Sequence, residues 1–282
     1  MMAMVKVGRH VSGAGGLSYS IGRAVELGAD TIQVFVTNPR TWAMSPVDKK
    51  EAGLFLKRAS EEKVGPLFAH MPYLPNLASP DDSIWKKSIA SLKDNVLRCE
   101  ELGMDYLVTH LGSGKGRLNL DESLSRVVAA LDSVAKYCDK TEILLENQAG
   151  HANSIGADLS DLTRIYEKSA LGNSGKLGFC IDTCHAFEAG YDIRRKEGLD
   201  KMADDIDLKR VRAMHVNDAK FEMGERRDRH DNIGQGHIGI DGFKALLSYK
   251  NVSSKPLIME TPECKNITWK DEITLIRKLA SD

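Results

Sequence analysis

The 282-residue chain predicts an α/β fold, a single-domain (β/α)8 TIM barrel over residues 1–282, and three observations predict it. Eight strand-like runs recur along the sequence, helix-patterned stretches separate them, and the length suits one barrel of roughly 250 residues. Strands alternating with helices pair in parallel, because each crossover returns the chain to the same end of the sheet. Eight such units suggest closure.

The strand-like runs are residues 5–11, 31–36, 66–70, 106–110, 142–146, 177–181, 211–216 and 256–260. Between the third and fourth, a helix is predicted over about residues 80–102, with Ser79 as N-cap, Pro80 at the first helical position, Asp82 in the first turn and Gly103 at the stop. Its buried stripe is Trp85, Ile89, Leu92, Val96 and Cys99. Between the fourth and fifth, residues 121–138 repeat Leu124, Val127, Val128, Leu131, Val134 and Cys138 at the spacing of one helix face. No low-complexity segment, Pro-rich linker or short repeat divides the chain. One long loop of low apolar content, residues 219–239, is charged and Gly-containing, and a functional role is expected of it.

Hydrophobic content of 42% and charged content of 28% suit a globular protein with a substantial core. A net charge of -1 excludes a global basic field, so any phosphate recognition is local. The cysteines Cys99, Cys138, Cys180, Cys184 and Cys264 are odd in number and scattered, which fits a reducing cytoplasm. The opening MMAMVKVGRHVSGAGG has too short an apolar run for a signal peptide, and no run is long enough to span a membrane. A soluble cytoplasmic protein is expected, with no membrane partner and no protein partner inferred.

The stretch CIDTCHAFEAGYD follows an apolar strand and sets Asp182 and His185 three residues apart. Alone, the pair reads equally well as a helix cap beside a satisfied core side chain. Five other strand-like runs, however, also end at or next to a histidine or carboxylate: His70, His110, Glu146, His215 and Glu260. In a parallel barrel the C-terminal strand ends converge on one face, so residues distant in sequence become neighbours.

Of the eight histidines, His70, His110, His185, His215 and His230 lie at strand ends or in the loops after them. One such histidine reads as a hydrogen-bonded or exposed group; several on one face read as ligands. Glu146, Asp182, Asp228 and Glu260 would otherwise be acidic groups crowded without compensation. Imidazole and carboxylate without a CxxC cluster favour zinc, manganese or iron over a structural thiolate site. These nine candidates exceed the needs of one tetrahedral ion, so two or three ions sharing a carboxylate are implied. Such a cluster binds phosphate, acidifies a water and neutralises a leaving oxygen, which is the chemistry of phosphoester hydrolysis.

GRHVSGAGGL, LLENQAG, CIDTCHAFEAGYD, MHVNDAK and the DRH of RRDRHDNIGQGHIG together resemble the endonuclease IV family of AP endonucleases, over nearly the whole chain. The resemblance implies the same barrel fold. It also implies hydrolysis of double-stranded DNA on the 5′ side of an abasic (AP) site by a three-metal mechanism, leaving a 3′-hydroxyl and a 5′-deoxyribose phosphate. Three zinc ions are implied, with manganese or iron as substitutes. His70, His110 and Glu146 would hold the first. Glu146 would bridge to a second, held also by Asp182, His215 and Glu260, and His185, Asp228 and His230 would hold the third. Glu146 and Glu260 are the implied catalytic residues, Glu260 steering the water. Arg40 and Tyr73 sit in loops that in similar proteins enter the DNA near the lesion; their other readings are a solvated arginine and a surface tyrosine packed on its loop.

Leu111 stands where the family often has proline, and Met71 and Pro72 where small or acidic residues are frequent; none is a ligand position. His10 reads either as a group orienting a ligand or as a structural hydrogen bond. His151 and His237 read as non-ligands. Asn217, Asp218 and Lys220 read as supports, phosphate contacts or loop caps, and Cys180 and Cys184 as packing residues. Arg194, Arg195, Lys220, Arg226, Arg227 and Arg229 form a candidate positive rim for DNA. Two other readings remain open, a metal-dependent sugar isomerase or epimerase on the same barrel and a non-catalytic damaged-DNA binder.

Overall fold

The computed structural model describes residues 5–43, 45–250 and 252–281. The start of the MMAMVKV pattern and the outermost residues of the 1–282 expectation lie outside these. The strands are β1 (Val7–His10), β2 (Thr31–Phe35), β3 (Leu67–His70), β4 (Tyr106–Thr109), β5 (Glu142–Glu146), β6 (Leu177–Asp182), β7 (Val211–His215), β8 (Asp218–Ala219), β9 (His230–Asp231) and β10 (Leu257–Met259). The closed barrel runs β1-β10-β7-β6-β5-β4-β3-β2, and every neighbouring pair is parallel. All eight expected strands are barrel strands. Among the described residues the short β8 and β9 form a separate antiparallel ribbon.

The helices are α1 (Ser18–Leu27), α2 (Lys49–Glu61), α3 (Asp82–Leu102), α4 (Leu120–Val134), α5 (Leu159–Lys168), α6 (Ala170–Asn173), α7 (Thr183–Ala189), α8 (Lys196–Asp205), α9 (Gly239–Leu247) and α10 (Trp269–Leu279). Two boundaries differ from the sequence reading. Helix α3 starts at Asp82 with Asp81, not Ser79, as N-cap, because the Asp81 carboxylate accepts the N–H groups of Ser83 and Ile84 at 2.8 and 3.1 Å. Ser79 instead accepts the Asp81 N–H in the turn before the helix, which leaves Pro80 outside it. Helix α3 ends at Gly103, whose φ of 61° suits glycine. Leu92, Val96 and Cys99 are buried as predicted, whereas Trp85 and Ile89 are half-buried.

Helix α4 stops at Val134 and tightens into a 3-10 turn over Ala135–Tyr137, so Cys138 leaves the stripe. The Glu100 carboxylate holds the chain just beyond, accepting the N–H groups of Asp139, Lys140 and Thr141 at 2.8, 3.0 and 3.0 Å. That clamp aims the chain into β5.

Alternation along the strands divides the apolar residues into two cores. Ile32, Val34, Ile143 and Leu145 point outward against the helices. Phe68, Val108, Leu144, Cys180, Ala213 and Ile258 point inward and fill the barrel as a plug. The reading of Cys180 as a packing residue agrees with this position.

Candidate metal centre

Six of the expected ligands stand two residues beyond a plug residue, and the pleat therefore directs them inward at the C-terminal mouth. Phe68 leads to His70, Val108 to His110, Leu144 to Glu146, Cys180 to Asp182, Ala213 to His215 and Ile258 to Glu260. The other three come from segments after strands: His185 from α7, and Asp228 and His230 from the segment closed by β9.

Glu146, fully buried, is the hub. Its Oε2 lies 3.0 Å from His70 Nε2 and 2.9 Å from His110 Nε2, while its Oε1 lies 3.0 Å from His215 Nδ1. Around it, potential ligand atoms fall into compact groups, each within 4.8 Å: His70, His110 and Glu146; Glu146, Asp182, His215 and Glu260; and His185, Asp228 and His230. These coincide with the three sets that the family resemblance implies. A fourth group, Asp182, Cys184 and His230, overlaps them. Its thiol is buried beneath the loop, donating to the Arg229 carbonyl at 3.5 Å.

The donor set fits divalent metal. His185 Nε2 and His230 Nε2 are buried without a hydrogen-bond partner, although both face the Asp228 carboxylate at 3.2 and 3.8 Å. Buried polar nitrogens are costly unless something accepts their lone pair or proton, and a cation among imidazoles and carboxylates meets that need. The electrostatics agree. Burial pulls the His185 imidazole down, but Asp182, Asp228 and Glu146 outweigh it and hold it up at about 10. Burial pushes the Asp228 carboxyl up, yet His185 and His230 bring it down to about 2. His110 and His215 likewise overcome burial to hold Glu146 well below the ordinary carboxylate range.

Three buried amides that the sequence reading either missed or left open support these groups. Asn217 donates to Asp182 Oδ2 at 2.6 Å and accepts the Glu260 N–H at 2.7 Å. Asn147 accepts the Asp182 N–H at 2.7 Å, and its carbonyl faces His185 Nδ1 at 2.9 Å. Gln33 on β2 reaches both Glu260 and His215. The signal for Gln33 lay in the inward positions of its strand; a search of strand ends passes over it, because β2 continues two residues past Gln33 to Phe35. His10 Nδ1 lies 3.3 Å from Glu260 Oε1, beside a candidate ligand.

Elsewhere the expectations divide. Asp218 caps its loop, accepting the N–H groups of Gly234, Gly236 and Ile238 at 2.9, 3.1 and 2.9 Å. A Cβ at Gly236 would meet the Ala219 carbonyl oxygen at 2.3 Å, so only glycine fits there. His151 and His237 belong to none of the ligand groups among the described residues. Tyr73 lines the mouth, a cavity of about 440 Å3 shared with His70, His110, His185, Asp228, Arg229, His230 and Glu260. Arg40 is exposed on the loop after β2 and does not line that mouth. A larger cavity of about 790 Å3, walled by the loops after β1 and β2, contains none of the nine ligand candidates.

The positive rim is narrower than the sequence implies. Arg194 and Arg195 approach Asp192 at 2.7 and 3.5 Å, and Arg227 approaches Glu225 at 3.6 Å. Lys220, Arg226 and Arg229 are exposed and enter no ion pair among the described residues. No helix among those residues is long and apolar enough to cross a membrane.

Comparison with known proteins accords with this geometry. A family profile described as xylose isomerase-like TIM barrel matches residues 21–279. A probable endonuclease 4 of Methanoculleus marisnigri is 44% identical over 98% of this chain and 99% of its own length. The crystal structure of endonuclease IV from Thermus thermophilus superposes with a TM-score of 0.83 at 29% identity, covering 98% of each chain. A 3-keto-D-glucoside 4-epimerase from E. coli, with a TM-score of 0.71 at 14% identity over 97% of this chain and 99% of that one, shares the fold alone. The chain therefore belongs to the endonuclease IV family, within the xylose isomerase-like TIM barrels.

Proposed function

We propose that this chain hydrolyses double-stranded DNA on the 5′ side of abasic sites at a centre of three divalent ions, leaving a 3′-hydroxyl and a 5′-deoxyribose phosphate. Residues 1–282 would act as one barrel domain carrying that centre in the cytoplasm. Family membership makes the protein a nuclease of DNA repair. The observation that carries the finer reading is the set of three ligand-atom groups, two of which share Glu146.

His70, His110 and Glu146 would hold the first ion, Glu146, Asp182, His215 and Glu260 the second, and His185, Asp228 and His230 the third. Zinc suits the imidazole-rich first and third sets, with manganese or iron as substitutes. Ions so held supply Lewis acidity, neutralising charge on the phosphate and leaving oxygen and acidifying the attacking water.

The chain's own residues do the rest. Glu146, with an imidazole on each oxygen, fixes the spacing of two sets. Glu260 has Oε1 engaged by Gln33, so Oε2 is the atom left to face the second ion and, from there, to steer the water. Tyr73 at the mouth and Arg40 on the neighbouring loop would contact the DNA at the lesion. Lys220, Arg226 and Arg229 would contact flanking phosphates.

The test is a nicking assay on a duplex carrying one abasic site. Incision on the 5′ side that stops with chelator and returns with zinc is the expected result. Incision indifferent to chelator, or none with the metal-loaded protein, would overturn the reading. Neither a sugar epimerase nor a non-catalytic binder gains support from the site, because the third set and all nine candidate ligands are present.

A further inference from the structure

Gln33 is fully buried on β2 and carries no charge, yet it touches two of the four residues that make up the second ligand group. In the parallel register it stands level with His10 on β1. Its Nε2 lies 2.7 Å from Glu260 Oε1 and 3.1 Å from His10 Nδ1, and its Oε1 lies 2.9 Å from His215 Nε2. We propose that Gln33 is the positioning residue of this group, fixing which nitrogen of His215 and which oxygen of Glu260 face the metal. The inference rests on the metal-centre reading above and deepens it.

The amide has only one workable orientation. Turned over, it would set a carbonyl oxygen 2.7 Å from a carboxylate oxygen, two acceptors with no proton between them. Its oxygen therefore faces His215 Nε2 and accepts a hydrogen from it. An imidazole that keeps its hydrogen on Nε2 binds metal through Nδ1. His215 Nδ1 points into the group, 3.0 Å from Glu146 Oε1, 3.9 Å from Asp182 Oδ2 and 3.5 Å from Glu260 Oε2.

The same amide settles Glu260. With Oε1 engaged by Gln33 and lying 3.3 Å from His10 Nδ1, Oε2 is the free ligand atom. One neutral side chain thus sets two ligands from different strands. His70 and His185 are handled otherwise, for their Nδ1 atoms lie 2.6 and 2.9 Å from the backbone carbonyls of Met71 and Asn147. His215 is instead fixed by a side chain, which makes its orientation open to mutation.

The experiment compares wild type, Gln33→Met and Gln33→Glu, each loaded with cadmium as the probe metal. Methionine keeps the volume and removes the hydrogen bonds to His215, Glu260 and His10. Glutamate keeps an acceptor against His215 but opposes Glu260. Competition with a chromogenic chelator measures each ion's affinity, and long-range proton–nitrogen spectra of histidine-labelled protein report which nitrogen of His215 bears hydrogen.

Wild type should show hydrogen on His215 Nε2 with cadmium bound. Gln33→Met should bind one ion roughly 10- to 100-fold more weakly, with the others unchanged. Gln33→Glu should weaken that ion while retaining the Nε2 hydrogen. If Gln33→Met binds all its ions as wild type does, or if cadmium-loaded wild type lacks the Nε2 hydrogen, the inference is overturned. The wild-type spectrum decides the matter even if the methionine variant does not fold. A wild type that takes up no cadmium refutes the metal-centre reading itself, a result distinct from either of these.

Discussion

Asp182 caps the helix that carries His185. Its Oδ1 accepts the His185 N–H at 2.8 Å as the N-cap of α7, and its Oδ2 lies 3.9 Å from His215 Nδ1 and 3.6 Å from His230 Nε2. The two readings of the Asp-x-x-His stretch are therefore compatible. One carboxylate oxygen builds the helix start that aims His185, and the other faces the ligand groups.

Those two tasks separate by mutation. Asp182→Asn keeps the cap oxygen but sets its amide nitrogen against the Asn217 amide that donates to Oδ2 in wild type, so its thermal stability without metal should fall by about 1–3 kcal/mol. Its incision rate should fall by more than the roughly 10- to 100-fold typical of losing an outer partner of a metal ligand. Cys184→Ser should lose far less activity. Equal losses in steady-state nicking by the Asp182 and Cys184 variants would count against this assignment.

Metal uptake should release protons. With Asp182, Asp228 and Glu146 holding the His185 imidazole at about 10, that ring is protonated at neutral pH until a metal displaces the proton. Lowering pH adds competing protons, so affinity should fall as pH falls. Calorimetric titration in buffers of different ionisation enthalpy checks this, and a proton count of zero at neutral pH would contradict it.

The barrel plug beneath the site should be sensitive to truncation. Phe68 is fully buried and stacks on Tyr106 with ring centroids 4.8 Å apart, immediately below His70. Phe68→Ala should cost about 3–5 kcal/mol in denaturant unfolding. A loss below about 1 kcal/mol would mean that the inner layer repacks around the cavity.

The exposed cations predict salt-dependent DNA binding. Arg229 lines the mouth without a carboxylate partner among the described residues. Arg229→Ala should weaken duplex binding and reduce the slope of log affinity against log salt by about 1. An unchanged slope would remove Arg229 from the phosphate contacts.

The barrel was legible because its strands are short apolar runs separated by helix-patterned stretches, and strand ends then marked six candidate ligands, which the structure directs inward. The side of each strand was not read from the sequence, although alternation places Leu144 and Glu146 on one face. Helix starts were less legible. Ser79 and Asp81 are both good caps, and only the three-dimensional turn decides between them. Gln33 was not legible by the same rule, because it lies inside β2 rather than at its end and bears no charge. The rim was overread, since a sequence counts Arg194 as a cation without seeing Asp192 2.7 Å from it.

Everything proposed for the mouth of the barrel depends on a cluster of divalent ions built around Glu146. Its most direct test is elemental analysis of the purified, metal-saturated protein, for wild type and Glu146→Gln side by side. Wild type should carry three ions per chain and the variant fewer, since two of the candidate ligand groups share that carboxylate. No bound ion in wild type, or the same count in both, would contradict it.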